Sequence, residues 1–337
     1  MSKPGLQPDP TWRPIQVPEA WQPTLVVVVD TEEEFDWGAP FDSNSRSTTN
    51  ILYQSLAQEI MDQHGVVPTY VIDFPVASTP QAVSSLRAIA DEGRCEIGAH
   101  LHPWVSPPEE EPVNTYNSFP GNLPAALERE KLARLTDQIE RAFRHRPTIY
   151  KAGRYGLGPA TFQILRELGF RIDTSVVPHT DFSDSGGPDF TAFPFGPFRA
   201  GADLIGLPLS VHFAGVLATA GATLYPALAR SPTPLRLLGV SARFRLLERL
   251  RLSPEGHNLQ DMKRHTRSAL ARGERYFMLT YHSSTLLPGG TPYAKDLAER
   301  EAFLQTLDGY FQFFMGECQG RPSRVTDLAA AMRHLNA

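Results

Sequence analysis

The sequence predicts an α/β fold on a mostly parallel sheet, and three observations carry that prediction. Short β-rich runs alternate with amphipathic segments, most of the runs are too continuously apolar to have a solvated face, and several end on a charged or imidazole side chain. Each element follows in chain order. LVVVVD (25–30) is the first strand, and a helical pattern covers 47–63. VVPTYVI (66–72) precedes a helix over 80–92, and CEIGAH (95–100) one over 121–144. PTIYKA (147–152) is followed by a helix over 158–168, begun by Gly158-Pro159 and ended by Gly169. GFRIDTS (169–175) and RYFMLTYH (275–282) complete the strands. Strand then helix, repeated, is the βαβ signature of a barrel or a doubly wound sheet. The pattern loosens between about 176 and 270, which reads as an insertion in a single domain, with 1–23 as an N-terminal extension.

Composition limits the function classes. The 337 residues are 41% hydrophobic and 20% charged, enough for a large core, with a formal net charge of −5. No basic block tracks a phosphate backbone, so nucleic acid is not expected as a partner. The N-terminus lacks a signal-peptide core and no apolar stretch approaches the ~20 residues of a transmembrane helix, so a cytoplasmic location is expected. Cys95 and Cys318 are read as unpaired thiols.

In parallel α/β folds reactive groups collect at the carboxyl ends of strands. The first strand closes on Asp30-Thr31-Glu32 and the third on His100-Leu101-His102, with Pro103 stopping the pairing. Side chains alternate along an extended chain, so each strand presents two matched groups on one face. Two carboxylates and two imidazoles at one strand mouth are ligand chemistry for zinc or a similar cation. Glu33, Glu34 and Asp36 read as a solvated loop. Gly153-Arg154-Tyr155-Gly156 is a turn from which a guanidinium can fork onto Asp30 while backbone N–H groups face the same mouth. His282 ends the last strand, placed to give a proton to a leaving group. Trp37, Trp104 and Tyr155 lie just past strand ends, where aromatic faces pack on sugar rings or in the core. His179, Asp181, Asp184 and His212 are rim candidates.

In this order the pieces resemble the NodB-homology polysaccharide deacetylases, carbohydrate esterase family 4, from about Thr24 to Thr326. Asp30-Thr31-Glu32 matches the first motif, His100-Leu101-His102 the second, Arg154-Tyr155-Gly156 the third and Leu279-Thr280-Tyr281-His282 the fifth. The strings DTEEEFDW, GAHLHPW, KAGRYG and YHSSTLLPGGTPY look most like a WalW-like subgroup from glycan-biosynthesis loci. The resemblance implies a distorted (β/α) barrel and metal-assisted hydrolysis of an N- or O-acetyl group on a carbohydrate. It implies Asp30 as the base, Glu32, His100 and His102 as ligands of a divalent metal, zinc first and cobalt, nickel or iron as alternatives. It also implies Arg154 as the group orienting Asp30, the Tyr155 backbone N–H as oxyanion support and His282 as the acid. The chain departs from the family in having D-x-E for adjacent aspartates and H-x-H for histidines four apart, with Trp104 where the later one would fall. Three arrangements stay open: Asp30 as a ligand, Glu33 in place of Glu32, or water held without an ion. Asp173 is the nearest candidate for the fourth motif. A sugar deacetylase leads; an amidase for a cyclic imide or ureide on the same barrel, and a catalytically silent carbohydrate-binding protein, are the alternatives.

Overall fold

The computed structural model describes residues 6–229 and 233–335. Valines 26–29 are the reason the first strand, β1 (Thr24–Thr31), is buried along its whole length: β-branched side chains on both faces suit a strand covered on both sides. Around it stand β2 (Thr69–Ile72), β3 (Glu96–Leu101), β4 (Ile149–Ala152), β5 (Ile172–Asp173), β6 (Ile205–Gly206) and, on the other side of β1, a strand over Tyr276–His282. All six neighbouring pairs in this run are parallel. Two antiparallel pieces, Phe198–Arg199 and Arg13–Pro14, finish the far edge, and Arg321–Pro322 pairs with the start of β1.

The helices cover the sheet as expected. A 3-10 turn (Thr49–Tyr53) runs into α1 (Gln54–Gln63), followed by α2 (Pro80–Ala90), α3 (Ala125–Phe143) and α4 (Thr161–Glu167). β6 lies inside the stretch read as an insertion yet belongs to the central sheet; two residues are too few to show periodicity. The rest of that stretch holds an antiparallel pair, β7 (Val211–Ala214) with β8 (Glu248–Arg251), and α5 (Leu259–Leu270), which starts on an Asn258–Asp261 capping box. The last parallel strand, Tyr276–His282, is then β9, followed by α6 (Leu297–Gly316) and α7 (Val325–Arg333).

The sheet curls into a distorted barrel whose seam is not a ladder. The outer edge of β9 is met by the loops that flank β7 and β8: Met278 N–H donates to Ser210 Oγ at 2.8 Å and Thr280 N–H to Leu252 O at 3.3 Å. Ser210 O in turn accepts from Leu252 N–H, tying the two loops together. No described helix is long and apolar enough to cross a membrane. Cys95 and Cys318 are both free.

Candidate active site

Strand register brings the reactive groups together. His282 on β9 is level with Asp30 on β1, and His100 on β3 is level with Lys151 on β4. These rows lie at the carboxyl ends of the parallel strands, over a cavity of about 280 Å³ lined by Asp30, Glu32, His100, His102 and His282, with Trp37 at its rim.

Glu32, His100 and His102 form the centre. Glu32 Oε2 lies 3.5 Å from His100 Nε2 and 3.4 Å from His102 Nε2, and all three residues are buried. Both imidazoles are held from behind. His100 Nδ1 sits 2.9 Å from the Lys151 carbonyl, which can only accept, so Nδ1 carries the proton and Nε2 offers its lone pair. His102 Nδ1 is 2.8 Å from Glu33 Oε2. Burial pushes His100 well below its ordinary pKa and His102 down to about 4, so both rings are neutral near pH 7. Burial, with Glu33 and Asp30 alongside, pushes the Glu32 carboxyl well above the usual range, and its Oε1 has no partner. Two neutral imidazoles, each backed by an acceptor, and one under-bonded carboxyl oxygen fit a divalent cation. These are the residues that would hold it.

Glu33 is not in a solvated loop. It is fully buried, its N–H donates to Asp73 Oδ2 at 2.6 Å, and burial raises its carboxyl to about 7. Asp73 also caps the short helix Phe74–Ser78 by accepting from Val76 N–H. Glu33, Asp73 and His102 form a second cluster of potential donors, but His102 turns Nδ1 to it and Nε2 to Glu32, so this cluster backs the first. Glu34 behaves as a turn residue, accepting from Ser47, Thr49 and the Asn50 N–H.

Asp30 has a partner the sequence reading missed. Lys151 Nζ lies 2.5 Å from Asp30 Oδ1 and 3.0 Å from Thr280 Oγ1, with the lysine side chain fully buried. Burial alone would raise the Asp30 carboxyl, but the Lys151 charge, helped by His100 and His282, brings it down to about 2. The expected Arg154 fork onto Asp30 is replaced by this ion pair. Arg154 Nη1 instead donates to Ser118 Oγ at 2.5 Å and to Thr115 O at 3.3 Å, with the guanidinium 4.0 Å from the Phe119 ring centroid. The strand places Lys151 against Asp30, whereas Arg154 lines the cavity from a turn past the strand end, where both Arg154 and Tyr155 have left-handed backbone, φ 53° and 58°. Gly153 permits that turn: a Cβ there would stand 2.4 Å from Leu101 O and 2.5 Å from His102 Cδ2.

His282 completes the ring. Its Nε2 is 3.6 Å from Asp30 Oδ2, and its Nδ1 is 2.8 Å from Glu255 Oε2. Glu255, another group the sequence reading passed over, also accepts from His282 N–H and Thr285 Oγ1. Burial opposes its charge, but His282 and those donors outweigh it and lower its pKa. Trp37 meets His282 edge-on at 4.9 Å. Trp104 is buried and stacks on His102 at 4.2 Å, so it supports a histidine and does not face the cavity. Tyr155 lines the cavity, stacked on Phe182, with Arg251 donating to its hydroxyl at 3.2 Å. Asp173 accepts from Ser175 and lies outside the cavity. His179, Asp181 and Asp184 line a separate cleft with Arg249, and His212 is buried beside His265.

No family model matches the chain, and no curated protein does. Among solved structures it is similar to two proteins assigned as polysaccharide deacetylases. One is from Mycobacterium smegmatis, at 16% identity over 94% of each chain with a TM-score of 0.54. The other is from Pseudomonas aeruginosa, at 16% identity over 94% of this chain and 93% of that one, TM-score 0.53. The allantoinase Puue is similar at the same identity, coverage and TM-score as the latter. At such identity the likeness speaks for the fold, a distorted α/β barrel of the type these proteins share.

Proposed function

We propose that this chain is a metal-dependent hydrolase that removes an acetyl group from an N- or O-acetylated carbohydrate. The observation that carries the reading is the convergence of Glu32, His100 and His102 beside two buried proton-handling pairs, Lys151–Asp30 and Glu255–His282. A divalent cation held by the three residues would lower the pKa of water from ~15.7 towards ~7 and polarise a carbonyl. Asp30, kept ionised by Lys151, accepts a hydrogen bond from the attacking water and orients it. The protein leaves His282 Nε2 facing the cavity while Glu255 holds Nδ1, the arrangement for giving a proton to a departing amine or alkoxide. The Tyr155 backbone N–H, at the left-handed turn, is the candidate oxyanion donor, and Trp37 the aromatic platform for a sugar ring. The resemblance of the motifs to the deacetylases and the structures assigned as such support the acetylated sugar as substrate, and the WalW-like strings support a surface-glycan setting.

An amidase for a cyclic imide or ureide is the second reading. It is favoured by the size of the cavity, small for ligand pockets, which run from roughly 300 Å³ upward, and by the likeness to an allantoinase. Acetate release from N-acetylated and O-acetylated sugars, measured on metal-loaded and chelator-stripped protein beside allantoin hydrolysis, tests both. Metal-dependent acetate release is expected. Allantoin turnover without acetate would transfer the assignment to the second reading, and metal binding with neither would overturn both.

A further inference from the structure

The excursion between the paired ends of β7 and β8, residues 215–247, has a composition unlike the rest of the chain. It contains four arginines, Arg230, Arg236, Arg243 and Arg245, and no Asp, Glu, Lys or His, in a protein whose net charge is −5. Nearly half of the exposed large apolar side chains among the described residues also fall there. Val216 is 80% and Phe244 67% exposed, and Leu237, Val240 and Leu246 are exposed with them.

The excursion presents large apolar side chains to water. On the helix Pro234–Arg243 and the residue that follows it, Leu237, Val240 and Phe244 follow helical spacing and share one face. That face is exposed together with Arg243, while Ser241, next to Leu237, is buried and donates to Leu247 O. The helix Gly221–Ala229 carries no charged residue at all. A helix facing water ordinarily shows its polar side. Among the described residues Arg243 and Arg245 have no acidic partner, and the nearest strand acid, Glu248, is taken by Arg264.

We infer that the described part of residues 215–247 docks this protein on an anionic lipid surface, its exposed apolar side chains entering the interface and Arg243 and Arg245 meeting the headgroups. Cationic and apolar groups together, without a single carboxylate, complement that surface on both counts. A second copy of the chain offers a surface of net negative charge but repeats the same cationic patch across a symmetric contact, which disfavours it. β8 roots the excursion at Glu248, and Arg251 at the other end of the same strand lines the cavity.

The test is sedimentation of the full chain with vesicles of phosphatidylcholine alone and of phosphatidylcholine mixed with phosphatidylglycerol. Binding to the mixed vesicles, weakening with added salt, is expected. Arg243→Gln with Arg245→Gln should reduce it by roughly fivefold per arginine, Arg243→Lys with Arg245→Lys should largely restore it, and Phe244→Ser with Val240→Ser should weaken it at unchanged charge. Circular dichroism and melting temperature establish that each variant is folded. Equal binding to both vesicles, no binding, or a dimer in light scattering that the Phe244 variant dissolves would each overturn the inference. Vesicle binding is read without turnover, and acetate release from water-soluble sugars without vesicles, so either proposal can fail alone.

Discussion

Lys151 and Asp30 are buried together, and neither tolerates loss of the other. Lys151→Met leaves Asp30 buried without its cation, so its pKa climbs. Activity requires the ionised carboxylate, so the acidic limb of kcat/KM should move to higher pH by about 1–3 pH units as the plateau falls. Arg154→Met, removed from Asp30, should lower the plateau and leave the limb in place; the two pH profiles side by side decide which cation serves Asp30. His100→Ala and His102→Ala should each cut bound metal sharply, read by elemental analysis of purified protein, with the fold retained in circular dichroism. At this scale the sequence was legible where alternation along a strand puts like groups on one face, as at Asp30/Glu32 and His100/His102. It was illegible where a charge looked incidental. Lys151 sits in an otherwise apolar strand, a place where a lysine must find a buried partner, and that was the available signal. Glu33 stands in an acidic run, whose usual meaning is a solvated loop, and only the fold reveals Asp73 and His102 behind it.

The elements around the site are held by polar side chains that reach across layers. From α3, Lys131 Nζ donates to the carbonyls of Pro103, Ser106 and Pro108 and pairs with Glu111 at 2.9 Å, fixing the loop that leaves β3 just after His102. Lys131→Met strands three carbonyls and a carboxylate, and a loss of roughly 3–5 kcal/mol is expected in urea unfolding, with weaker metal retention because the Trp104 support of His102 loosens. Strands β1 to β4 and β9 and helices α1 to α4 had clear runs and clear ends, so they could be read from sequence. α6 could not: Phe303, Tyr310, Phe311, Phe313 and Phe314 are all buried, spread too widely around the helix to form one stripe. Glu255 was out of reach for another reason, since its partner His282 lies on β9 and nothing local marks it.

Across the whole molecule, the barrel is a run of seven parallel strands whose end strands, β6 and β9, do not pair with each other. Ser210 and Leu252 bridge the gap with one hydroxyl and one carbonyl. Ser210→Ala removes the acceptor for the Met278 N–H, and a cost of about 1–3 kcal/mol is expected in chemical denaturation, with faster amide exchange along β9 than along β1. Since His282 ends β9, the same change should reduce kcat without loss of bound metal. The seam also gives the barrel an adjustable bore. Seven strands fix the chemistry, while the span from Leu207 to Ser210 fixes how far β9 stands from β6; lengthening or shortening that span by a residue should retune the size of acyl group admitted, leaving the reacting side chains at or beyond the ends of their own elements.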